Sequence, residues 1–479
     1  MTGISFFGGY IPVYRLKRDV IADIWGRHSL GGERSVANND EDAITMAVEA
    51  SRNCLKGAPT AEIDALLFGT TSSVFKEKMN AALISAAIDL KENISTLDFT
   101  NSLRSGTGAL MAALDKVKSG SAKNVLVTCS DCRLGYPRSD EEQLFGDGAA
   151  ALVVGDENVV ATFEGHYCVS NEMMDVWRNS NDTFVRTWEK RFILGEGYIN
   201  NMKRAIKGLL EKYGLEPKDI SKAIFPAPDS RSHKRLASQL GFDLKTQVQD
   251  TLLSKLGHCG AAHALLMLVG ALEDARPGER LLLACYGDGA DAMLFTVTDA
   301  IERKMLQYTL RAQLEEKLML PSYARFLSYK GLVETVPGEP FRLMPSATVT
   351  WRDRKSIIRC HGSRCNSCGL TTFPMQRICY NCGSKDDFTE VRIADLEGLV
   401  YTFTLDNLAG RSDDPVVPQI IAEFGGSKVR FYGMMTDCDP EEIKVGMPVR
   451  LVFRWIYEGA GMPNYFWKCS PMRNGGNDL

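Results

Sequence analysis

Cys365-x2-Cys368 and Cys379-x2-Cys382 are two knuckles separated by ten residues, and their four thiolates can converge on one ion. Soft sulfur ligands in a tetrahedral set favour zinc. A site closed by four protein ligands leaves no position for water or substrate, so the expected role of this zinc is folding rather than Lewis-acid catalysis. Cys360 and His361 lie just upstream and can compete as ligands, but four cysteines already complete the set. The other cysteines are scattered singly, unlike the dense spacing of a small disulfide scaffold, and fit a reducing compartment.

The elements that must position this cluster lie on both sides of it. After it the chain reads as strands broken by turn residues, LEGLVYTFTLDNL, PQIIAEFGG, KVRFYGMMTD and PVRLVFRWIY, the pattern of a small five-stranded barrel. Before it, residues 1–300 alternate β-branched runs with amphipathic stretches: DEDAITMAVEASRNCLKG predicts a helix, IDALLFGT and NVLVTCS buried strands. That rhythm is an α/β fold. A Gly-Asp-Gly turn feeding an apolar strand occurs twice, in LFGDGAAALVVGD and in CYGDGADAMLFTV, and suggests an internal duplication. The expected organisation is an α/β domain over 1–300, a helical and extended linker over 301–355, a zinc ribbon over 356–390 and an all-β domain over 391–479.

Composition narrows the function. Fifty-six Lys and Arg against sixty Asp and Glu give a net charge of −4, without the basic footprint that a phosphate backbone requires. The aromatics of VYTFTL, RFYGM and NYFWK would suit a single-strand nucleic-acid groove, but basic residues there are too few and too mixed with acids. No apolar run reaches the eighteen or so residues of a membrane span, and no signal peptide opens the chain. A cytoplasmic location is expected.

GSRCNSCGLTTFPMQRICYNCGS with VYTFTL and PQIIAEF resembles the rubredoxin-like zinc-ribbon plus OB-fold proteins that accompany thiolase-type enzymes, over about 355–470. In that family the OB-fold is implicated in acyl-CoA access and subunit bridging. FFGGYIPVYRL, DEDAITMAVEASRNCL and LFGDGAAALVVG together resemble the hydroxymethylglutaryl-CoA synthase branch of the thiolase superfamily, over about 3–300. This resemblance implies duplicated α/β/α/β/α layers, a homodimer, and coenzyme A as part of the substrate thioester.

Against the synthase pattern, the chain departs at all three catalytic positions. Leu103 falls where the synthases carry the nucleophilic cysteine, Thr71 where they carry the glutamate, and Pro226 where they carry the histidine. Ser102 or Ser105 can be proposed as a substitute nucleophile, or as a helix cap; a hydroxyl needs an adjacent base, and the segment offers only Arg104. Two turns keep titratable groups. LGHCGAA resembles the turn with the ketoacyl-synthase asparagine or the thiolase histidine, which points to His258; ACYGDGA resembles the turn with the second thiolase cysteine, which points to Cys285 with Tyr286 beside it. Cys259 and His263 are weaker candidates, and Cys129, Cys132 and Cys168 are expected to pack. Thiolase-fold proteins that lack the nucleophile and pair with such a zinc-ribbon partner act as aldolases on β-hydroxyacyl-CoA, so the resemblance implies an aldol or retro-aldol step with His258 as the proton carrier. The alternatives are Claisen-type acyl transfer with a thiolase partner subunit, and a non-catalytic scaffold in such a complex.

Overall fold

A computed structural model describes the chain except residues 57, 59, 304–307, 335–344, 410–413, 426–428 and 474–479. The chain divides into two compact units. The first comprises Met1–Ala37, Asp42–Ser85 and Leu90–Tyr323; the second comprises Ala324–Leu479 together with the short excursions Asn38–Glu41 and Ala86–Asp89.

The first unit is built on a mixed nine-stranded sheet. Its strands are β1 (Gly3–Tyr10), β2 (Ile63–Gly69), β3 (Ser95–Phe99), β4 (Asn124–Asp131), β5 (Gly148–Gly155), β6 (Ala161–Ser170), β7 (Lys222–Ile224), β8 (Arg280–Tyr286) and β9 (Gly289–Val297). Their spatial order is β7-β8-β9-β6-β1-β5-β4-β2-β3. Numbered within each half, both halves have the order 3-2-4-5-1, because a parallel bridge from Ala223 to Val248 supplies the third strand of the second half. The duplication expected from the two Gly-Asp-Gly turns is therefore present, and each turn enters the fifth strand of its half. The second turn is a tight hairpin joining β8 to β9, with Asp288 at φ 47° and Gly289 at φ 110°. A Cβ on Gly289 would stand 1.9 Å from the Val169 carbonyl oxygen, so only glycine fits there.

Four helices turn this sheet into layers. Helix α1 (Ala43–Cys54) begins with a capping box, in which Asp42 accepts from Thr45 N–H at 2.9 Å and Thr45 Oγ1 accepts from Asp42 N–H at 2.8 Å. It covers the outer face of β1, β4 and β5, while α3 (Asn200–Tyr213) covers the outer face of β6, β8 and β9. Between the halves lie α2 (Ser105–Lys118) and α4 (His263–Glu273), in contact with one another and with strands of both halves. Ala109, Leu110, Leu114, Leu265, Leu266 and Leu268 share one buried cluster with Leu152 and Leu283. Each such leucine side chain stabilises the fold by about 1.5–3 kcal/mol relative to exposure.

Strand periodicity fixes which side chains reach this central layer. Val125, Val127 and Cys129 of β4 and Leu281, Leu283 and Cys285 of β8 face it. Leu282, Ala284 and Tyr286 face the outer cluster formed with Met202, Ile206 and Leu209.

In the second unit, β10 (His361–Cys365), β11 (Thr371–Thr372) and β12 (Phe388–Arg392) form a three-stranded ribbon in the order β11-β10-β12. Strands β13 (Gly398–Asp406), β14 (Val417–Phe424), β15 (Val429–Met434), β16 (Pro448–Gly459) and β17 (Met462–Pro471) follow in the order β15-β14-β13-β16-β17, every neighbouring pair antiparallel. A bridge between Met435 and Cys469, with Thr436 N–H donating to Cys469 O at 2.9 Å, brings the sheet's two edges together beyond β15. Phe424, Phe431, Phe453 and Trp467 fill its interior.

The segment 301–355 reads in the sequence as a helical and extended linker. Its described part contains helix Leu310–Glu315 and a two-residue strand, Leu318–Met319, paired with Tyr14 and Arg15, so the first unit continues to Tyr323. The Pro-bearing stretch over 335–344 lies outside the described residues.

Candidate functional site

Strand β4 ends in the residue that organises the first unit's central turns. Asp131 is fully buried on the central-layer side of β4, and its carboxylate accepts five hydrogen bonds. Thr70 Oγ1, Thr71 N–H and Ser72 Oγ donate to Oδ1 at 3.1, 2.8 and 2.7 Å; Thr71 Oγ1 and Ala261 N–H donate to Oδ2 at 2.8 and 2.7 Å. One carboxylate thus ties the turn after β2 in the first half to the turn before α4 in the second. Gly260 makes this approach possible: at φ 56°, a Cβ there would lie 2.0 Å from Asp131 Oδ2. Sequence reading missed Asp131. The available signal was its register, since the alternation that aims Val125, Val127 and Cys129 inward aims residue 131 inward too.

The turn held by Asp131 carries His258. Its main chain pairs with the first half: His258 N–H donates to Leu144 O at 2.6 Å, and Gly146 N–H donates to His258 O at 3.2 Å. Its Nδ1 accepts from Gly260 N–H at 3.2 Å, which places the ring proton on Nε2. Burial, then His263, then Arg133 hold its pKa well below the ordinary histidine range, so the ring is neutral at physiological pH. Among the described residues Nε2 has no hydrogen-bond partner. The expected proton carrier is therefore a neutral N–H donor, because its basic nitrogen is already occupied by the backbone.

His263 stacks on His258 with centroids 4.7 Å apart and makes the contrast plain. Its Nδ1 accepts from Cys259 N–H at 3.1 Å and its Nε2 pairs with Thr251 O at 2.8 Å, so both nitrogens are used within the fold. Burial pushes its pKa down to about 4.

Cys285 and Tyr286 part company on opposite faces of β8. Cys285 is buried towards the central layer, with Sγ 3.5 Å from Leu103 O; burial and then Asp291 push its pKa up to about 12, so it is a neutral thiol. Tyr286 points outward, where its hydroxyl donates to Asp175 and its ring meets Tyr198 edge-on at 5.8 Å. Burial and Asp175 raise its pKa. Of the two alternatives, Cys285 or Tyr286, offered for the place opposite His258, only Cys285 faces the central layer.

The three departures are each absorbed by local structure. Leu103 precedes the N-terminus of α2, whose Arg104 pairs with buried Asp291 and reaches Gly287 O and Asp288 O at 3.3 and 3.2 Å. Thr71 is held by Asp131, and Pro226 O accepts from Tyr198 Oη at 3.0 Å. Ser105 Oγ donates to Ser102 O at 2.6 Å, and Ser102 Oγ lies 3.3 Å from Asp288 Oδ2, an acidic neighbour supplied by the hairpin turn. Cys129 and Cys259 are buried, with burial the leading cause of their raised pKa values. Cys132 is half-buried, while Cys168 is exposed rather than packed away, although its Sγ lies 3.6 Å from Met111 Sδ of α2.

In the second unit the sulfur atoms of Cys365, Cys368, Cys379 and Cys382 all lie within 4.8 Å of one another. The pairs Cys365–Cys382 and Cys368–Cys379 stand at 3.6 Å. A tetrahedral zinc with Zn–S bonds of about 2.3 Å requires sulfur separations of about 3.8 Å, so these residues fit that ion. The knuckles are alike: Gly369 N–H donates to Cys365 O and Gly383 N–H to Cys379 O, both at 2.9 Å. His361 is engaged elsewhere in this unit, with Nε2 2.8 Å from Asp89 and Nδ1 3.2 Å from Glu390. Cys360 is buried outside the cluster.

With this geometry in hand, comparison with known proteins places the chain. It is 30% identical over 355 residues to the hydroxymethylglutaryl-CoA synthase of Caldivirga maquilingensis, covering 99% of that protein and 70% of this chain. The chain belongs to the hydroxymethylglutaryl-CoA synthase family. The Pyrococcus furiosus synthase is 32% identical over 341 residues, covering 97% of that protein and 67% of this chain. Family profiles for 3-oxoacyl-[acyl-carrier-protein] synthase III and its C-terminal part match residues 97–167 and 210–297, and the ChsH2 C-terminal OB-fold domain matches 390–454. Among solved structures, MvaS in complex with 3-hydroxy-3-methylglutaryl coenzyme A superposes with a TM-score of 0.60 at 20% identity, covering 72% of this chain and 94% of that one. That last likeness concerns the fold. Among the described residues no helix is long and apolar enough to cross a membrane.

Proposed function

We propose that this member of the synthase family makes or breaks a carbon–carbon bond next to an acyl-CoA thioester by an aldol or retro-aldol step, without an acyl-enzyme. In the retro-aldol direction the Cα–Cβ bond of a β-hydroxyacyl-CoA breaks and its electron pair becomes the thioester enolate. The β-hydroxyl loses its proton as the carbonyl forms, and the α-carbon gains one. Such a step needs a donor for the enolate oxygen and an acid for the α-carbon, not a thiolate. The reading gives the first role to His258 Nε2–H. It gives the second to the neutral thiol of Cys285, which passes its proton to the α-carbon as it takes up the proton leaving the β-hydroxyl. Tyr286, on the other face of β8, is left to hold Asp175.

The observation that carries this reading is the bond from Gly260 N–H to His258 Nδ1, which keeps a neutral N–H donor poised on the turn before α4. Leu103 before α2 supports it from the other side, since that turn contains no cysteine. Zinc, bound by Cys365, Cys368, Cys379 and Cys382, is assigned a folding role in the second unit.

The test is turnover by the purified full chain, alone, of β-hydroxyacyl-CoA thioesters of increasing length, with release of acyl-CoA and an aldehyde or ketone as the readout. The fused OB-fold unit, matched over 390–454 by the ChsH2 C-terminal OB-fold domain, favours one alternative: acyl transfer with, or scaffolding of, a thiolase subunit. An inert chain that becomes active only when such a subunit is added would select that alternative.

A further inference from the structure

Two residues beyond Asp131, Arg133 is 6% exposed. Its guanidinium carbon lies 4.2 Å above the ring of Phe145, whose main chain is bridged to His258. It makes no hydrogen bond or ion pair to any described residue, and its Nε is enclosed without an acceptor. Burial is the main reason its pKa falls, to about 10, so it remains a cation at neutral pH. An unpaired buried cation is costly, and buried arginines are ordinarily matched to carboxylates or carbonyls.

The charged groups around Arg133 do not supply that match. Asp131 is the strongest opposite charge, but both its oxygens are filled by the five donors already described. Glu141 and the neutral thiol of Cys259 make no hydrogen bond to it, and Arg178, which donates to Thr71 O, adds a second positive charge. His258 presents only its Nε2–H. Arg133 and His258 thus offer a planar five-donor fork and a neutral N–H donor, neither matched by an acceptor among the described residues, a combination that suits a carboxylate taken bidentately.

The geometry points to Arg133 as the specificity-determining residue of the acyl site, selecting substrates in which the acyl group carries a free carboxylate. This rests on the acyl-CoA reading above, and it narrows the substrate class to carboxylated acyl thioesters. It involves no covalent step.

Binding of succinyl-CoA and glutaryl-CoA, compared by calorimetry with butyryl-CoA and pentanoyl-CoA, tests it in the full chain. The wild type is expected to bind at least one carboxylated thioester about tenfold or more tightly than its neutral counterpart, as charge-assisted hydrogen bonds require. Arg133→Met should abolish that preference and leave the neutral affinities within about twofold, while Arg133→Lys, which keeps the charge but not the fork, should retain part of it. Melting curves report whether each variant folds, and the wild-type comparison stands even if one does not. Equal binding of charged and neutral thioesters by the wild type, or a preference that survives Arg133→Met, overturns the assignment while leaving the acyl-CoA reading intact. No binding of any thioester would overturn both.

Discussion

The two chemical centres of this protein are assembled in opposite ways. The sulfur cluster is local, with all four ligands between Cys365 and Cys382 on two alike knuckles, so ligand spacing alone defines it. The proposed acyl site is distributed: the turn after β2, Asp131 at the end of β4, the turn before α4 and the end of β8 meet only because two halves of a duplicated fold enclose a shared helical layer. A local site depends on its metal for its own folding, whereas a distributed one inherits its geometry from the packing around it.

The largest effect should come from breaking the local centre. Cys365→Ser and Cys379→Ser are each expected to lose zinc and unfold the ribbon, since binding at such sites is worth roughly 10 kcal/mol or more. The first unit should melt as before, and full zinc content in both variants by metal analysis would refute the four-cysteine assignment. In the distributed centre, Asp131→Ala should cost about 3 kcal/mol or more in denaturant unfolding, because five donors lose their shared acceptor in a buried place. An effect below about 1 kcal/mol would mean the turns are held by other contacts.

Acidity gives a smaller and graded effect. His258 and His263 both have pKa values lowered by burial, so the unfolded chain takes up a proton near its ordinary histidine pKa before the folded chain does. Stability should therefore fall as pH drops below about 6.5, by up to about 1.4 kcal/mol per pH unit for each histidine, and continue falling towards pH 4, where His263 begins to protonate in the fold. Replacing His263 should flatten this slope. The smallest signal is a null in mass: incubation with acetyl-CoA should leave the intact mass unchanged, and an adduct mapping to Ser102, beside Asp288, would restore a covalent route.

Legibility followed the same division. The cysteine spacing predicted the metal cluster, and the repeated Gly-Asp-Gly turns predicted the duplication, because both signals are short-range. The ACYGDGA motif left Cys285 and Tyr286 as alternatives, which strand alternation separates onto opposite faces of β8. Tautomer and charge were not readable for His258, since they depend on Gly260 N–H and on burial against His263 and Arg133. Arg133 carried no motif at all; only its lack of a partner marks it.

The central claim is that His258 works as a neutral donor in the distributed site, and its most direct test is turnover of a β-hydroxyacyl-CoA by His258→Ala, with pH dependence measured for the wild type. The account predicts a loss of about 100-fold or more, unchanged zinc content and melting, and a wild-type rate without a histidine ionisation between about pH 6 and 8. Near-normal turnover in His258→Ala, or a wild-type rate that titrates near pH 6.5 and loses that titration in the variant, would contradict it.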